Sequence, residues 1–298
     1  MTTPLESYTL ERAKHAGWIL PCNPPQRIFR YDASGERYYA TVDRNADTYD
    51  VQWYPSVTAV LRGTSPIAPG LLQWYKKHGD DADVMRDEAA ERGTAIHALM
   101  ADYLMGAAVD LASIPADYVK PLLSFAQFVH DYGVTPLAVE VPVVSTLYGI
   151  AGTIDLVCSM TTPRGREVCI VDFKTGTSFY RDHAVQLAYY REAWNTHILE
   201  VYRSEALMLA GAPLVTRVYN VAPKDFRKEP TYAIKDQTDV VTLDELMQRS
   251  SLYQLTNDTK PKARKSYGGT LTRETYTTVQ PETVTPEQLV ITKFEAML

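Results

Sequence analysis

Cysteine, long apolar runs and surplus positive charge are all scarce in this sequence. Its 298 residues include 3 cysteines, Cys22, Cys158 and Cys169, too few for a disulfide framework, and no CxxC pair of the kind that holds zinc. No stretch approaches the roughly 18 uninterrupted apolar residues of a membrane span. Residues 1–10 lack a basic segment leading into an apolar run, so no secretory signal is expected. A cytoplasmic protein fits this cysteine usage. Lys and Arg number 30 against 36 Asp and Glu, a net charge of -6, which argues against a chain coated in basic surface, the usual footprint of a general nucleic-acid binder. No GxxxxGK[ST] loop is present, so no nucleotide cofactor is expected, and there is neither an internal repeat nor a low-complexity tract.

What is present is ordinary globular composition, 45% hydrophobic and 22% charged, enough for one large core or two small ones. The first 60 residues read as a short helix followed by a hairpin, with β-rich runs at 27–32 and 37–42 around a turn at Ser34 and Gly35. Ser56 is a candidate helix cap, and Pro66, Pro69 and Gly70 then break the chain before residues 71–77. Apolar or small residues at 85, 89, 93, 96, 100 and 104 have helical spacing, and a second helix is expected over 119–131, ending at Gly133. The period then becomes strand-like over 137–144, 152–158 and 168–174. Helical spacing returns over 181–202, and further strands are expected at 215–221 and 231–234. Capping boxes mark later helices at Thr242 with Glu245 and at Thr285 with Gln288, and between them the polar, lysine-rich 257–269 reads as a mobile loop. The order predicts an α+β fold with a central mixed sheet flanked by helices. It divides into an N-terminal extension (1–83) carrying helical and hairpin additions, a core (84–235), and C-terminal helices with a loop in the same domain (236–298).

The chemistry lies in two strands. Gly152-Thr153-Ile154-Asp155 is followed after a turn by Ile170-Val171-Asp172-Phe173-Lys174-Thr175-Gly176. Both acids sit inside apolar runs, where charge is costly unless compensated. A hairpin register pairing 155 with 172 also pairs 158 with 169, making the carboxylates cross-strand neighbours and the two cysteines neighbours on the opposite face. Facing carboxylates repel, and a hard divalent ion relieves them. An acid two residues before a lysine arises about one and a half times by chance in this composition. Asp258-Thr259-Lys260 is such a match, without strands around it, and taken alone Asp172 and Lys174 read as a strand-end ion pair. The acid-bearing strand at hairpin distance shifts the reading toward a site. A turn around Leu147 and Tyr148 would bring Glu140 opposite Asp155 as a further acid; the alternative is an edge charge that discourages aggregation. Gln186 and Tyr190, four apart, share one helix face, as do Gly93, His97, Met100 and Leu104. His97 by itself reads as a half-buried packing histidine.

GTID, IVDFKTG and Gln186-Leu187-Ala188-Tyr189-Tyr190 together resemble the RecB-like branch of the PD-(D/E)XK nuclease superfamily. Upstream, Glu91-Arg92-Gly93-Thr94-Ala95-Ile96-His97 is similar to that branch's GxxxH helix. Pro55-Ser56-Val57-Thr58 resembles a segment of mitochondrial genome-maintenance and phage exonucleases. The matched motifs cover residues 55–190. The resemblance implies a restriction-endonuclease-like core in which Asp155, Asp172 and the Phe173 carbonyl hold Mg²⁺ or Mn²⁺, with His97 as a further ligand. It implies that Lys174 handles the attacking water and offsets transition-state charge, that Gln186 orients the lysine or a phosphate, and that Tyr190 touches the DNA backbone. The iron-sulfur cluster of some relatives needs four cysteines and is not expected here, nor is a fused helicase motor.

The reaction implied is metal-dependent hydrolysis of DNA to 5′-phosphate products, as an exonuclease of phage recombination, replication or repair, acting on a single strand or duplex end, with a single-strand annealing protein as partner. Of 20 tyrosines and 4 tryptophans, Trp74 and Tyr75 beside Lys76 and Lys77 are the expected base-stacking and phosphate contacts. Arg86, Arg92, Arg181, Arg191 and the 260–265 run are further cationic candidates. The rival readings are a structure-selective endonuclease on the same core, an RNA-directed enzyme, and a non-catalytic DNA-binding recombination module.

Overall fold

The computed structural model describes residues 28–33, 35–45, 48–176, 178–204, 213–224, 228–266 and 282–297. Cys22, Ser34, the short N-terminal helix and the end of the 257–269 segment lie outside these residues. The N-terminal hairpin is larger than expected. β1 (Ile28–Ala33) and β2 (Glu36–Asn45) are joined by β3 (Thr48–Pro55) in a three-stranded antiparallel sheet. β3 alternates in exposure along TYDVQWYP, and its Tyr49, Val51 and Trp53 pack on a small core completed by Val290 and Phe294. Those partners are some 240 residues away in sequence, so local pattern did not disclose the strand.

Helix α1 (Val57–Thr64) begins as expected, with the Ser56 side chain accepting from the Ala59 N–H. The break expected at Pro69 and Gly70 is instead the start of α2 (Pro69–His78). A proline in the first turn loses an N–H that has no intrahelical partner in any case. α3 (Asp81–Leu104), α4 (Ala116–Asp131), β4 (Thr135–Ser145), β5 (Ile150–Thr162), β6 (Gly165–Phe173), α5 (Arg181–Ser204), β7 (Arg217–Pro223) and β8 (Tyr232–Asp236) follow in the anticipated order. They build one five-stranded mixed sheet, ordered β4-β5-β6-β7-β8, in which β6 and β7 run parallel across α5 and the other pairs are antiparallel.

The sheet is buried on both faces, which makes this an α+β molecule of three layers. On one face Ile154, Val157, Ile170 and Val218 pack with Val60 of α1, with Leu187 and Trp194 of α5, and with Leu246 of α6 (Leu243–Thr256). On the other, Leu156, Cys158, Cys169 and Val171 pack with Ile96 and Met100 of α3 and Phe125 and Phe128 of α4. Burial pushes the Cys158 thiol well up and the Cys169 thiol to about 12, so both act as small apolar side chains. At the C-terminal end Thr242 caps α6. α7 (Pro286–Glu295) carries the full reciprocal box between Thr285 and Gln288. The segment expected to be loop contains a short strand, β9 (Arg264–Ser266), paired with β10 (Glu282–Val284). Among the described residues no helix is long and apolar enough to cross a membrane.

Candidate functional site

Two strand registers build the site. Leu156 faces Val171 and Cys158 faces Cys169 across β5 and β6, the pairing anticipated from the sequence. Continued by one residue, that register sets Asp155 against Asp172. Val139 faces Leu156 and Val141 faces Ile154 across β4 and β5, so Glu140 falls opposite Asp155. The turn that achieves this closes on Gly149 at φ 61, a conformation glycine adopts without steric cost. Three acids therefore stand in a row across three adjacent strands.

The row sits where the sheet's alternation fails. Val139 and Leu156 pack with the α3 and α4 layer, whereas Val141 and Ile154, two residues along each strand, belong to the α5 layer. Regular pleating would keep each pair of positions on one face. The break coincides with Glu140, the positive-φ non-glycine residue among those described, at φ 50. Backbone of this kind costs of the order of 1 kcal/mol or more and persists where its surroundings enforce it.

Side chains from α3 and α5 complete the group. The His97 Nδ1 lies 3.6 Å from Asp155 Oδ2, and the Phe173 N–H donates to the same oxygen at 2.8 Å. The Phe173 ring meets the His97 ring edge-on, at 6.1 Å between centroids. His97, Glu140 and Asp155 each offer one ligand atom, all within 4.8 Å of one another. Asp172, 2% exposed, is held differently: Lys174 Nζ lies 2.6 Å and Asn220 Nδ2 2.7 Å from its Oδ2. Lys174 Nζ also donates to Gln186 Oε1 at 2.9 Å, and Gln186 Nε2 donates to the Tyr190 hydroxyl at 3.0 Å.

No family model matches the chain, and no curated protein matches it. Function must therefore be argued from the geometry and chemistry of the site.

Burial carries the Glu140 carboxyl up to about 7, with Asp155 adding to the rise. Asp172 rises to about 6, burial and Asp155 together overcoming the pull of Lys174. Burial also disfavours charge on Asp155, but His97, Lys174 and the Phe173 N–H outweigh it and hold this group below the usual carboxylate range. His97 reaches about 9, because Asp155, Glu140 and Asp172 more than offset the desolvation of its ring. The raised proton affinity of Glu140, Asp172 and His97 reflects the negative charge gathered in this cluster. One imidazole and two carboxylates within a few ångströms are a donor set that suits Mg²⁺ or Mn²⁺, which would take the place of the protons.

Among the described residues the compact ligand group is His97, Glu140 and Asp155, while Asp172 bonds Lys174 and Asn220. Tyr190 was expected to touch DNA. It is 4% exposed and sits under Gly152, where an added Cβ would overlap its ring, so it anchors Gln186 from inside the fold. Trp74, Lys76 and Lys77 lie on α2, with Trp74 against Tyr75 and His78. α2 packs against α3.

The arginines expected to line a DNA path are engaged with acids of the chain: Arg86 with Asp83 and Asp87, Arg92 with Asp117, Arg181 with Glu245, and Arg191 with Glu192. Arg30 and Arg37, which sequence reasoning missed, are likewise engaged with an acid of the chain and act electrostatically on Glu140. Both bond Asp32, at 2.9 and 3.2 Å, and both draw the Glu140 carboxyl downward. Asn220 was missed as well. It is buried between Asp172 and Gln237, whose Nε2 donates to Asn220 Oδ1 at 3.0 Å. An asparagine within an apolar strand was the available signal.

Proposed function

We propose that this chain is a divalent-metal-dependent nuclease that hydrolyses DNA phosphodiester bonds, working as an exonuclease on a restriction-endonuclease-like core of the RecB-like branch. The observation that carries the reading is the row of Glu140, Asp155 and Asp172 across adjacent strands, with Lys174 bonded to Asp172 and steadied by Gln186. A structural ion pair does not call for one buried and two half-buried acids, two of the three with raised proton affinity, beside a histidine.

His97, Glu140 and Asp155 would hold Mg²⁺ or Mn²⁺, with Asp172 beside them. The ion supplies Lewis acidity to the phosphate and acidifies water. Lys174 orients the attacking water and offsets charge developing on the phosphoryl oxygens, its ammonium fixed by Asp172 and Gln186. Water adds to phosphorus, the bond to the 3′-oxygen breaks, and that oxygen takes a proton, leaving a 5′-phosphate. Arg30 and Arg37 hold the DNA backbone on the β4 side. A cytoplasmic phage recombination, replication or repair role, with a single-strand annealing partner, is the setting this chemistry suits.

A time course on end-labelled linear single and double strands, with Mg²⁺, Mn²⁺ or EDTA, tests the reading. Digestion should need metal and should fall about a hundredfold or more in Lys174→Ala. Binding of DNA without digestion under either metal overturns the enzyme in favour of a docking module. Cleavage of a plasmid circle as fast as linear DNA replaces exonuclease by endonuclease, and preference for RNA in direct competition replaces the substrate.

A further inference from the structure

Beside Lys174 and His97 lies a cavity of about 310 Å³ whose wall also includes Phe173, Ser178, Tyr180 and His183. Its size is at the lower end for small-molecule pockets and has no room for a duplex. His183, in the first turn of α5, is fixed by its neighbour: the Tyr180 N–H donates to Nδ1 at 3.3 Å, and the Tyr180 ring meets the imidazole edge-on at 5.4 Å. With Nδ1 accepting, Nε2 carries the proton, so the ring offers the cavity a donor. Burial, with Lys174 and Lys235 nearby, lowers His183 to about 4, so at neutral pH it remains an uncharged donor amid positive charge. Tyr180 is 62% exposed at the cavity wall, an aromatic face open to stacking. The proposed cleavage chemistry uses neither His183 nor Tyr180.

We propose that this cavity seats one 5′-phosphorylated nucleotide, the unit released at each cleavage, with its phosphate on Lys174 and the His183 Nε2–H and its base on the Tyr180 ring. The assignment rests on the nuclease reading for the origin of the nucleotide. It is carried by the cavity and by the fixed imidazole. Ammonium, imidazole N–H and exposed aromatic ring match the phosphate and base of a mononucleotide, and neither half alone would engage all three.

Calorimetric titration of the full chain with 5′-dAMP, deoxyadenosine and inorganic phosphate tests it, alongside chromatography of digestion products. The nucleotide should bind at least tenfold more tightly than either half, and the products should be mononucleotides. His183→Ala and Tyr180→Ala should each weaken 5′-dAMP about tenfold with unchanged thermal melts, while Tyr180→Phe, which keeps the ring, should bind like wild type. Unchanged affinity in both alanine variants, or no 5′-dAMP binding by a wild type that digests DNA, overturns the cavity assignment and leaves the nuclease standing. Binding of 5′-dAMP by a chain that digests no DNA overturns the nuclease and, with it, the occupant as product.

Discussion

At the residue scale, Lys174 is held by partners that reach it from two directions. Asp172 comes from its own strand and Gln186 from α5, and behind Gln186 stands Tyr190, whose ring occupies the space a side chain at residue 152 would need. Gly152→Ala should therefore destabilise by about 1–3 kcal/mol through overpacking. Because the displaced ring anchors Gln186, the same variant should lose activity beyond its loss of stability; urea unfolding and DNA digestion measured together check both. Glu140 offers a second test, since it combines left-handed backbone with a half-buried carboxyl of raised proton affinity. Glu140→Gly removes both burdens and should raise the melting temperature in EDTA, while abolishing most of the rise that Mn²⁺ gives wild type. The motif GTID pointed to Gly152 and Asp155 as a unit, but the reason for the glycine lies 38 residues away, in a ring that no local pattern places there.

At the element scale, β4, β5 and β6 were legible because their apolar runs are bounded by turn residues, and one register had to satisfy the acids and the cysteines together. β3 was not legible: its Tyr49, Val51 and Trp53 pack on a cluster that includes Phe294 and Val290 of α7. The small N-terminal sheet braces the Arg30 and Arg37 guanidiniums on Asp32, and both draw the Glu140 carboxyl downward. Single alanine substitutions of Arg30 or Arg37 should weaken DNA binding and lower the slope of log affinity against log salt by about 1 each. Variants of Trp74, Lys76 or Lys77 on α2 should leave cleavage of a bound strand less affected than binding. Fluorescence titrations over a range of salt separate these outcomes.

At the scale of the whole molecule, the excess of six acids gathers in part at one site, and this makes stability depend jointly on pH and metal. Glu140 moves from an ordinary 4.5 to about 7 and His97 from 6.5 to about 9. Across those intervals these groups bind more protons in the folded than in the unfolded state, while His183, lowered to about 4, acts oppositely below about 6.5; metal-free stability should therefore fall as pH rises from about 6.5 to 9. Asp155 shifts the opposite way and acts only in acid, below its usual range. Mg²⁺ or Mn²⁺ substitutes for the bound protons, so the melting-temperature rise it produces should be larger at pH 8 than at pH 5.5. Equal rises at the two pH values would show that the ion binds elsewhere.

The sequence by itself determined the α+β order of elements, the hairpin register that aligns Asp155 with Asp172, and the placement of Lys174, Gln186 and His97 on elements able to converge. These follow from periodicities of two and 3.6 and from short turns, which are local. Only the tertiary structure decided that Glu140 rather than Asp172 joins His97 and Asp155, that Tyr190 faces inward, and that Arg30 and Arg37 supply positive charge near the acids. Each of these depends on which face of a strand turns toward which layer. That choice is made by the break in pleating at Glu140 and by packing between segments far apart in the chain, energies that no window of sequence contains.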